Sequence, residues 1–312
     1  MQLDPVSLTP VPSISGQNLL SSATGISTLA RVEVTDFSNS PSAYMGPEEW
    51  VMLTMAVEKA ASRDAVVGVV VSHGTDTLEE TAYWLDLTLK TQKPVVLTGA
   101  QRNASEHDSD GPRNLLNAVR VAISPESVGM GVLVAMNNQI SAAREVVKTH
   151  TMNVDSFKCG DSGYLGSIDP DRVIYSRKPN RRQYVPVCTV QMPMVEIIAA
   201  YGGCDGSALR EAVVRGAQGI VVQALGMGNV NSFVFDAVKF AIASGTTVVI
   251  ASRVPNGRVL PAYGFQGGGA TLQGAGAIFS EDLTPAKARI LLMLLLQTGV
   301  RNPSELQAAF SK

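Results

Sequence analysis

The chain has 312 residues, of which 45% are hydrophobic and 17% are charged, and its formal net charge is −2 at pH 7. This length is enough for two modest domains or one large domain, and the low charged fraction excludes a disordered chain. The nearly balanced charge, without a block of like charges, argues against nucleic-acid binding and favours chemistry on a small molecule.

Apolar runs, short polar loops and helix-period stretches follow one another along the chain. A strand is predicted at 31–37, and a helix that begins at Pro47 carries Trp50 and Leu53 on one face. Further strands are predicted at 66–71, 94–97, 131–136, 219–223 and 246–251, and further helices from Thr77, after Asp110, at 233–243 and at 285–296. The sequence Thr77-Leu78-Glu79-Glu80 matches a capping box, which predicts that Thr77 caps its helix.

This alternation predicts an α/β fold with two domains. The larger N-terminal domain, 1–175, is expected to contain a doubly wound, mostly parallel sheet. The smaller C-terminal α/β domain is expected over 189–312. The stretch 176–188 is basic, contains proline and lacks periodicity, so we interpret it as a linker.

No segment of the sequence has the properties of a membrane span. The longest apolar run, Ile290 to Leu296, is far shorter than the roughly 20 residues that cross a bilayer. The first basic residue is Arg31, so the N-terminal stretch lacks the features of a secretory signal. Three cysteines without a CxxC pair argue against a disulfide framework and favour the cytoplasm.

The loop Ser72-His73-Gly74-Thr75-Asp76-Thr77 follows a predicted strand and precedes a predicted helix. Ligands of parallel sheets bind at this end of the strands. Gly74 allows a ligand to approach the backbone, Thr75 offers a hydroxyl, and Asp76 offers a carboxylate for an ammonium group or a proton. Alternatively, Thr75, Asp76 and Thr77 only compete to cap the helix, and the spacing leaves both interpretations open.

Two further segments carry candidate groups. The loop Thr98 to Arg102 follows the next strand and is expected near the same crevice. Lys148 lies among apolar and hydroxyl residues at 142–151, where burial would favour a neutral amine that can act as a base. The alternative is a solvated lysine beside a helix end.

The sequence predicts neither a metal nor an organic cofactor. The histidines, His73, His107 and His150, are far apart and lack metal-ligand spacing, and we interpret His73 as a packed loop residue. The glycine-rich stretches at 226–229 and 266–270 match neither a dinucleotide-binding motif nor a phosphate-binding loop.

Several motifs, in order along the chain, identify it as a member of the asparaginase/glutaminase family. The sequence SHGTDTLEETA at 72–82 resembles the second signature of bacterial asparaginases. Further segments that resemble family motifs are TGAQR at 98–102, DGP at 110–112, NL at 114–115, KTHT at 148–151, GN at 228–229, SRVPNG at 252–257 and PAKAR at 285–289. The resemblance implies a cofactor-free amidohydrolase that converts L-asparagine to aspartate and ammonia through a threonine nucleophile.

The resemblance also implies roles for individual residues. The family's Thr-Asp-Lys group matches Thr75, Asp76 and Lys148, with Lys148 as the base and Asp76 as the carboxylate that orients it. Asp76 would also hold the substrate ammonium beside Gly74. The substrate carboxylate would bind to Ser42.

Two more positions match family residues outside this group. The carbonyl of Ala100 is expected to face the leaving amide, and Asn229 resembles a residue that reaches the site of a neighbouring subunit. The family's two-domain α/β fold usually assembles into a homotetramer of intimate dimers. A homotetramer or a homodimer is therefore expected here.

The sequence departs from the family at its start. No T-G-G-T-I motif occurs, although in the family this motif places the attacking threonine on the first strand. We expect the natural chain to begin upstream of Met1, where a signal peptide for the periplasm would also lie; the alternative is a genuine deletion. Because members of a catalytic unit act together, the 312-residue chain is expected to be orders of magnitude less active. A second hypothesis is a homologue that binds asparagine or aspartate without hydrolysing it.

Overall fold

The computed structural model describes residues 2–3, 7, 9–11 and 14–312, so the hypothesis about Met1 lies outside the described residues. The chain divides into two compact units, 1–184 and 185–312. The division falls within the stretch 176–188. In the described residues, no helix is long and apolar enough to cross a membrane.

The first unit is built on a six-stranded sheet. The described strands of the whole unit, in this sheet and in two smaller ones, are β1 (Gln2–Leu3), β2 (Pro10–Val11), β3 (Val69–Ser72), β4 (Val95–Thr98), β5 (Val132–Met136), β6 (Gln139–Ala142), β7 (Val147–Lys148), β8 (Phe157–Lys158), β9 (Gly166–Ile168) and β10 (Val173–Tyr175). The large sheet has the order β10-β9-β6-β5-β4-β3, in which β3, β4 and β5 are parallel and the other neighbours are antiparallel. The pairs β1–β2 and β7–β8 form separate two-stranded antiparallel sheets.

Five α-helices accompany these strands in the part of the unit that the structure describes. They are α1 (Gly16–Ser22), α2 (Ile26–Leu29), α3 (Pro47–Ala61), α4 (Leu78–Thr88) and α5 (Gly111–Ile123), with short 3₁₀ turns at Ser42–Tyr44, Pro125–Ser127 and Gly160–Ser162. All four residues of β4 are buried, as expected for a central strand with an unbroken apolar run. Helix α4 is buried along most of its length, and Trp84 on it packs against Trp50 of α3 with ring centroids 5.5 Å apart.

The strand predicted at 31–37 is wrong. These residues have no regular secondary structure, and the backbone groups of 31–40 make no backbone hydrogen bond to any described residue. An extended segment becomes a strand only when a neighbour completes its ladder of hydrogen bonds, and β3 is the last strand in the order of the sheet. The apolar side chains of Val32, Val34 and Phe37 are consequently left 37–40% exposed.

The second unit has a parallel four-stranded sheet with the order β11-β12-β13-β14. Its elements are β11 (Val195–Ala199), β12 (Gly219–Ala224), β13 (Thr247–Ser252), β14 (Ile278–Phe279), α6 (Ser207–Val214), α7 (Ser232–Ala243), α8 (Gly269–Gly274), α9 (Pro285–Gln297) and α10 (Pro303–Phe310). Helix α9 packs so closely on β12 that a Cβ on Gly219 would lie 2.7 Å from Leu292 Cδ2. The α/β class is therefore confirmed in both units. The sheet of the first unit is mixed and not mostly parallel as predicted, because only two of its five described pairs of neighbouring strands are parallel.

Candidate active site

The loop 73–77 connects β3 to α4 at the carboxyl end of a parallel strand. The His73 N–H donates to the Thr98 carbonyl at 2.8 Å, which extends the β3–β4 ladder by one residue. A Cβ on Gly99 would lie 2.5 Å from the His73 carbonyl oxygen and 3.4 Å from Thr75 Cγ2. The loops that follow β3 and β4 are therefore in direct contact, and glycine at position 99 permits their close approach.

Lys148 reaches this loop from β7. Its Nζ donates to Thr75 Oγ1 at 2.8 Å and to Asp76 Oδ1 at 3.2 Å. The side chain of Lys148 is 17% exposed, whereas that of Asp76 is 67% exposed. Lys148 thus lies in a short strand, and its amine donates a hydrogen bond to the Thr75 hydroxyl. It is not the solvated lysine beside a helix end that the alternative interpretation described. The amine is anchored to Thr75, while the carboxylate of Asp76 remains accessible.

Ser42 holds the other side of the loop. This residue is 5% exposed, and its Oγ accepts a hydrogen bond from the Asp76 N–H at 3.2 Å. Because that oxygen acts as an acceptor here, the hydroxyl hydrogen remains to be donated to another group. A Cβ on Gly74 would lie 2.6 Å from Ser42 Oγ. Gly74 therefore permits the contact with Ser42.

The capping box predicted at Thr77 is wrong. The side chain of Thr77 makes no capping hydrogen bond to α4. Its hydroxyl instead donates to the Ser42 carbonyl at 2.7 Å. A tertiary acceptor 35 residues away in sequence thus replaces the local one.

Glu79 is a residue of the site that sequence reasoning missed, because the Thr-x-x-Glu pattern of the capping box drew attention to Thr77 and Glu80 only. It lies in the first turn of α4, and its Oε2 accepts the backbone N–H of Lys148. The only available signal was two consecutive glutamates, Glu79 and Glu80, at the start of a helix, where one is enough for a capping box.

His73 is a packed residue of the loop. Its Nδ1 lies 2.7 Å from the Gly74 carbonyl oxygen and its Nε2 lies 3.0 Å from Thr81 Oγ1. Burial lowers the pKa of the imidazole, which favours the neutral ring. A carbonyl only accepts, so Nδ1 carries the hydrogen and Nε2 accepts from the Thr81 hydroxyl. That hydroxyl in turn accepts from Trp50 Nε1 at 2.9 Å.

Ala100 lies in the loop after β4, which Asp110 holds in place. The carboxylate of Asp110 accepts the backbone N–H groups of Gln101 at 3.2 Å and Arg102 at 3.0 Å. The side chain of Asn114 donates to the Gly99 carbonyl at 3.0 Å on the other side of Ala100. Asp110, which immediately precedes α5, therefore serves this loop and makes no side-chain cap on the helix.

Asn229 belongs to the second unit, in the turn after β12. Its Oδ1 accepts the Gly269 N–H at 3.2 Å, and its backbone N–H donates to the Leu225 carbonyl at 2.8 Å. Its side chain therefore ties this turn to the start of α8. Among the described residues of both units, no group of three histidine, cysteine, aspartate or glutamate side chains is arranged to hold a metal ion.

Two family models match the chain. The model described as "Asparaginase, N-terminal" matches residues 1–181, and the model described as "Glutaminase/Asparaginase C-terminal domain" matches residues 194–310. Each match lies mainly in one of the two compact units.

Individual proteins are similar over the same extent. The chain is 43% identical over 267 residues to a probable L-asparaginase of Deinococcus radiodurans, which covers 84% of this chain and 80% of that protein. It is 38% identical over 302 residues to a probable periplasmic L-asparaginase of Haemophilus influenzae, and the match covers 95% of this chain and 84% of that protein. The crystal structure of a probable cytoplasmic L-asparaginase from Campylobacter jejuni matches with a TM-score of 0.90 and 37% identity, over 96% of this chain and 94% of that one.

Proposed function

Because the chain belongs to the asparaginase family, we propose that it hydrolyses L-asparagine to L-aspartate and ammonia at the group formed by Thr75, Asp76 and Lys148. The observation that carries this proposal is the 2.8 Å contact between Lys148 Nζ and Thr75 Oγ1. A hydroxyl becomes an effective nucleophile when an adjacent base removes its proton. Lys148 in its neutral form is such a base, and Asp76 holds its amine from a second side.

The reaction is an acyl transfer from nitrogen to oxygen and then to water. In this chain, whose sequence contains no T-G-G-T-I motif, we assign the attack to Thr75: Lys148 takes its hydroxyl proton, and the Thr75 oxygen bonds to the side-chain amide carbon of asparagine. When the carbon–nitrogen bond breaks, the proton held by Lys148 passes to the leaving nitrogen, which departs as ammonia. Water then attacks the resulting ester, which releases aspartate and returns the proton to Thr75.

The substrate is held by its α-amino and α-carboxylate groups. The exposed carboxylate of Asp76 accepts the ammonium, and the hydroxyl of Ser42 donates its hydrogen to the carboxylate. The carbonyl of Ala100 accepts the amide N–H of the substrate, in a loop that Asp110 holds rigid. These contacts would orient the amide carbon towards Thr75.

A second candidate function is binding of asparagine or aspartate without hydrolysis. It is favoured by one observation, that the sequence contains no T-G-G-T-I motif. Under this hypothesis the contacts of Ser42 and Asp76 hold the ligand, while the Thr75–Lys148 pair is too weak an activator for turnover.

Ammonia release by the purified 312-residue chain, measured together with calorimetric titration of aspartate, separates the two candidates. If the chain hydrolyses asparagine at this site, Lys148→Met should abolish ammonia release and Lys158→Met should leave its rate unchanged. Lys158 is the control because it lies in the paired strand β8 and forms its ion pair with Asp155. Aspartate binding without ammonia release supports the binder. Absence of both rejects both candidates.

We further propose that the protein assembles as a homotetramer or homodimer, which light scattering coupled to size exclusion would measure. We also propose a cytoplasmic location, supported by the three free cysteines, Cys159, Cys188 and Cys204. Named relatives include both a periplasmic and a cytoplasmic protein. Fractionation of producing cells would distinguish the compartments.

A further inference from the structure

Lys148 is held on an element that the main sheet does not position. Among the described residues, strands β7 and β8 pair only with each other and form a two-stranded ribbon, with Lys148 opposite Phe157. The next residue, Thr149, donates its N–H to the Ser156 carbonyl at 2.7 Å within the same ribbon. These contacts fix the ribbon internally, but they do not fix its distance from Thr75. A contact from outside the ribbon must therefore define where the amine lies.

Glu79 provides such a contact. Thr75 and Asp76 lie in the loop that leads into α4, and Glu79 is the second residue of that helix. Its Oε2 accepts the backbone N–H of Lys148, across 69 positions of sequence. The Glu79 carboxylate therefore connects the backbone of Lys148 to helix α4, and the loop that leads into this helix carries the Thr75 hydroxyl.

We propose that Glu79 is a positioning residue, which holds the backbone of Lys148 so that its Nζ meets Thr75 Oγ1. This proposal rests on the proposed function, since it assigns the geometry of the same site. Glu79 contacts the backbone N–H of Lys148, and the side-chain amine of Lys148 is engaged by Thr75 and Asp76 instead. The length of the side chain at position 79 is therefore what matters, because a neutral amide oxygen also accepts a backbone N–H.

Two substitutions separate reach from charge. Glu79→Gln keeps the length and an acceptor oxygen but removes the charge. Glu79→Asp keeps the charge and favours a helix N-terminus, but it withdraws the carboxylate by about 1.5 Å, the length of one carbon–carbon bond. Glu48→Asp is the matched control, since Glu48 is exposed and also occupies the second position of its helix, α3.

The measurement is the rate of ammonia release as a function of asparagine concentration. Glu79→Asp is expected to lower kcat about 10- to 100-fold with KM within about twofold, because a displacement of about 1 Å costs up to 100-fold when reacting groups lose alignment. Glu79→Gln is expected to retain kcat within about threefold, and Glu48→Asp to match the unsubstituted chain. The reverse order, with Gln impaired and Asp active, would overturn the proposal in favour of a purely electrostatic role.

A second measurement does not depend on turnover. Acetic anhydride acetylates exposed amines, and peptide mass spectrometry gives the rate at Lys148 relative to Lys158 in the same ribbon. Glu79→Asp is expected to raise this ratio severalfold, because the amine leaves its contacts with Thr75 and Asp76, and Glu79→Gln is expected to leave it unchanged. The same ratio of Lys148 to Lys158 acetylation in the unsubstituted, Glu79→Asp and Glu79→Gln chains would overturn the positioning role. Absence of ammonia release from the unsubstituted chain would reject only the proposed function.

Discussion

Replacement of Thr75 by valine tests the proposed chemistry with a minimal change of shape. Valine has the branched shape of threonine, so the methyl group beside Gly99 is retained and the backbone preference is similar. The substitution removes one oxygen, the acceptor of the 2.8 Å hydrogen bond from Lys148 Nζ. The amine keeps its contact with Asp76 at 3.2 Å.

The expected effects on stability and on catalysis differ in size. A hydrogen bond contributes about 0.5–1.5 kcal/mol net, and the Lys148 amine retains Asp76, so we expect the free energy of unfolding to fall by about 1 kcal/mol. Valine offers no nucleophile, so the rate should fall by at least the factor of about 10²–10⁴ that base-assisted attack alone contributes. That factor corresponds to about 3–5 kcal/mol of activation free energy, and catalysis should therefore suffer far more than folding.

The assay is ammonia release at saturating asparagine, paired with urea unfolding of the same preparation. Thr77→Val is the comparison, because its hydroxyl contacts the Ser42 carbonyl and makes no contact with Lys148. It is expected to raise KM by loosening Ser42 while it changes kcat little. A Thr75→Val chain that retains kcat within about threefold would refute the assignment of Thr75 as the nucleophile.

Three further outcomes are expected. Backbone amides at 31–40 should exchange with deuterium within seconds while those of β4 stay protected, because the segment lacks backbone partners among the described residues; protection at 31–40 would contradict this. The pKa of His73 is lowered in the folded chain, so below about pH 6.5 the unfolded chain binds more protons than the folded chain. The free energy of unfolding should therefore fall as the pH is lowered, by at most about 1.4 kcal/mol per pH unit from this group. His73→Gln should remove this contribution in urea unfolding at different pH values. Gly68→Ala should lower the free energy of unfolding by about 1–3 kcal/mol, because its Cβ would lie 2.3 Å from the Ala122 carbonyl oxygen. Gly274→Ala in α8 should not lower it, because a Cβ there would meet no described atom outside its own helix within 4 Å.

Among the described residues, hydrophobic patterning predicted five of the seven strands that form parallel pairs, β3, β4, β5, β12 and β13, because buried parallel strands appear as unbroken apolar runs. It predicted none of the described strands that form only antiparallel pairs. The predictions at 94–97 and 246–251 differ by one residue at each end from β4 and β13. The same reasoning failed at 31–37, where the alternation of side chains is that of a strand but no partner strand is present among the described residues. A pattern reports which face is apolar, and only the tertiary fold supplies the hydrogen bonds.

The candidate site was predictable to different extents. Thr75 and Asp76 follow from their place after a strand, which general rules of parallel sheets single out. Lys148 lies 72 positions beyond Asp76, and no local spacing relates the two. The family resemblance was needed to associate them. Glu79 was invisible to both kinds of reasoning, because its partner is a backbone N–H, which any residue type at position 148 other than proline would offer.

The start of α4 shows why local rules fail at this site. Thr77 and Glu80 have the identities of a capping box, but the Thr77 side chain binds the Ser42 carbonyl, and Glu79 beside them binds the Lys148 N–H. Loss of a side-chain cap costs a helix about 1 kcal/mol. Helix α4 tolerates that loss because Leu78 and Trp84 are completely buried, and burial of one large apolar side chain stabilises by about 1.5–3 kcal/mol. Packing along the helix thus frees its polar first turn to hold the segments that carry Ser42 and Lys148 around Thr75.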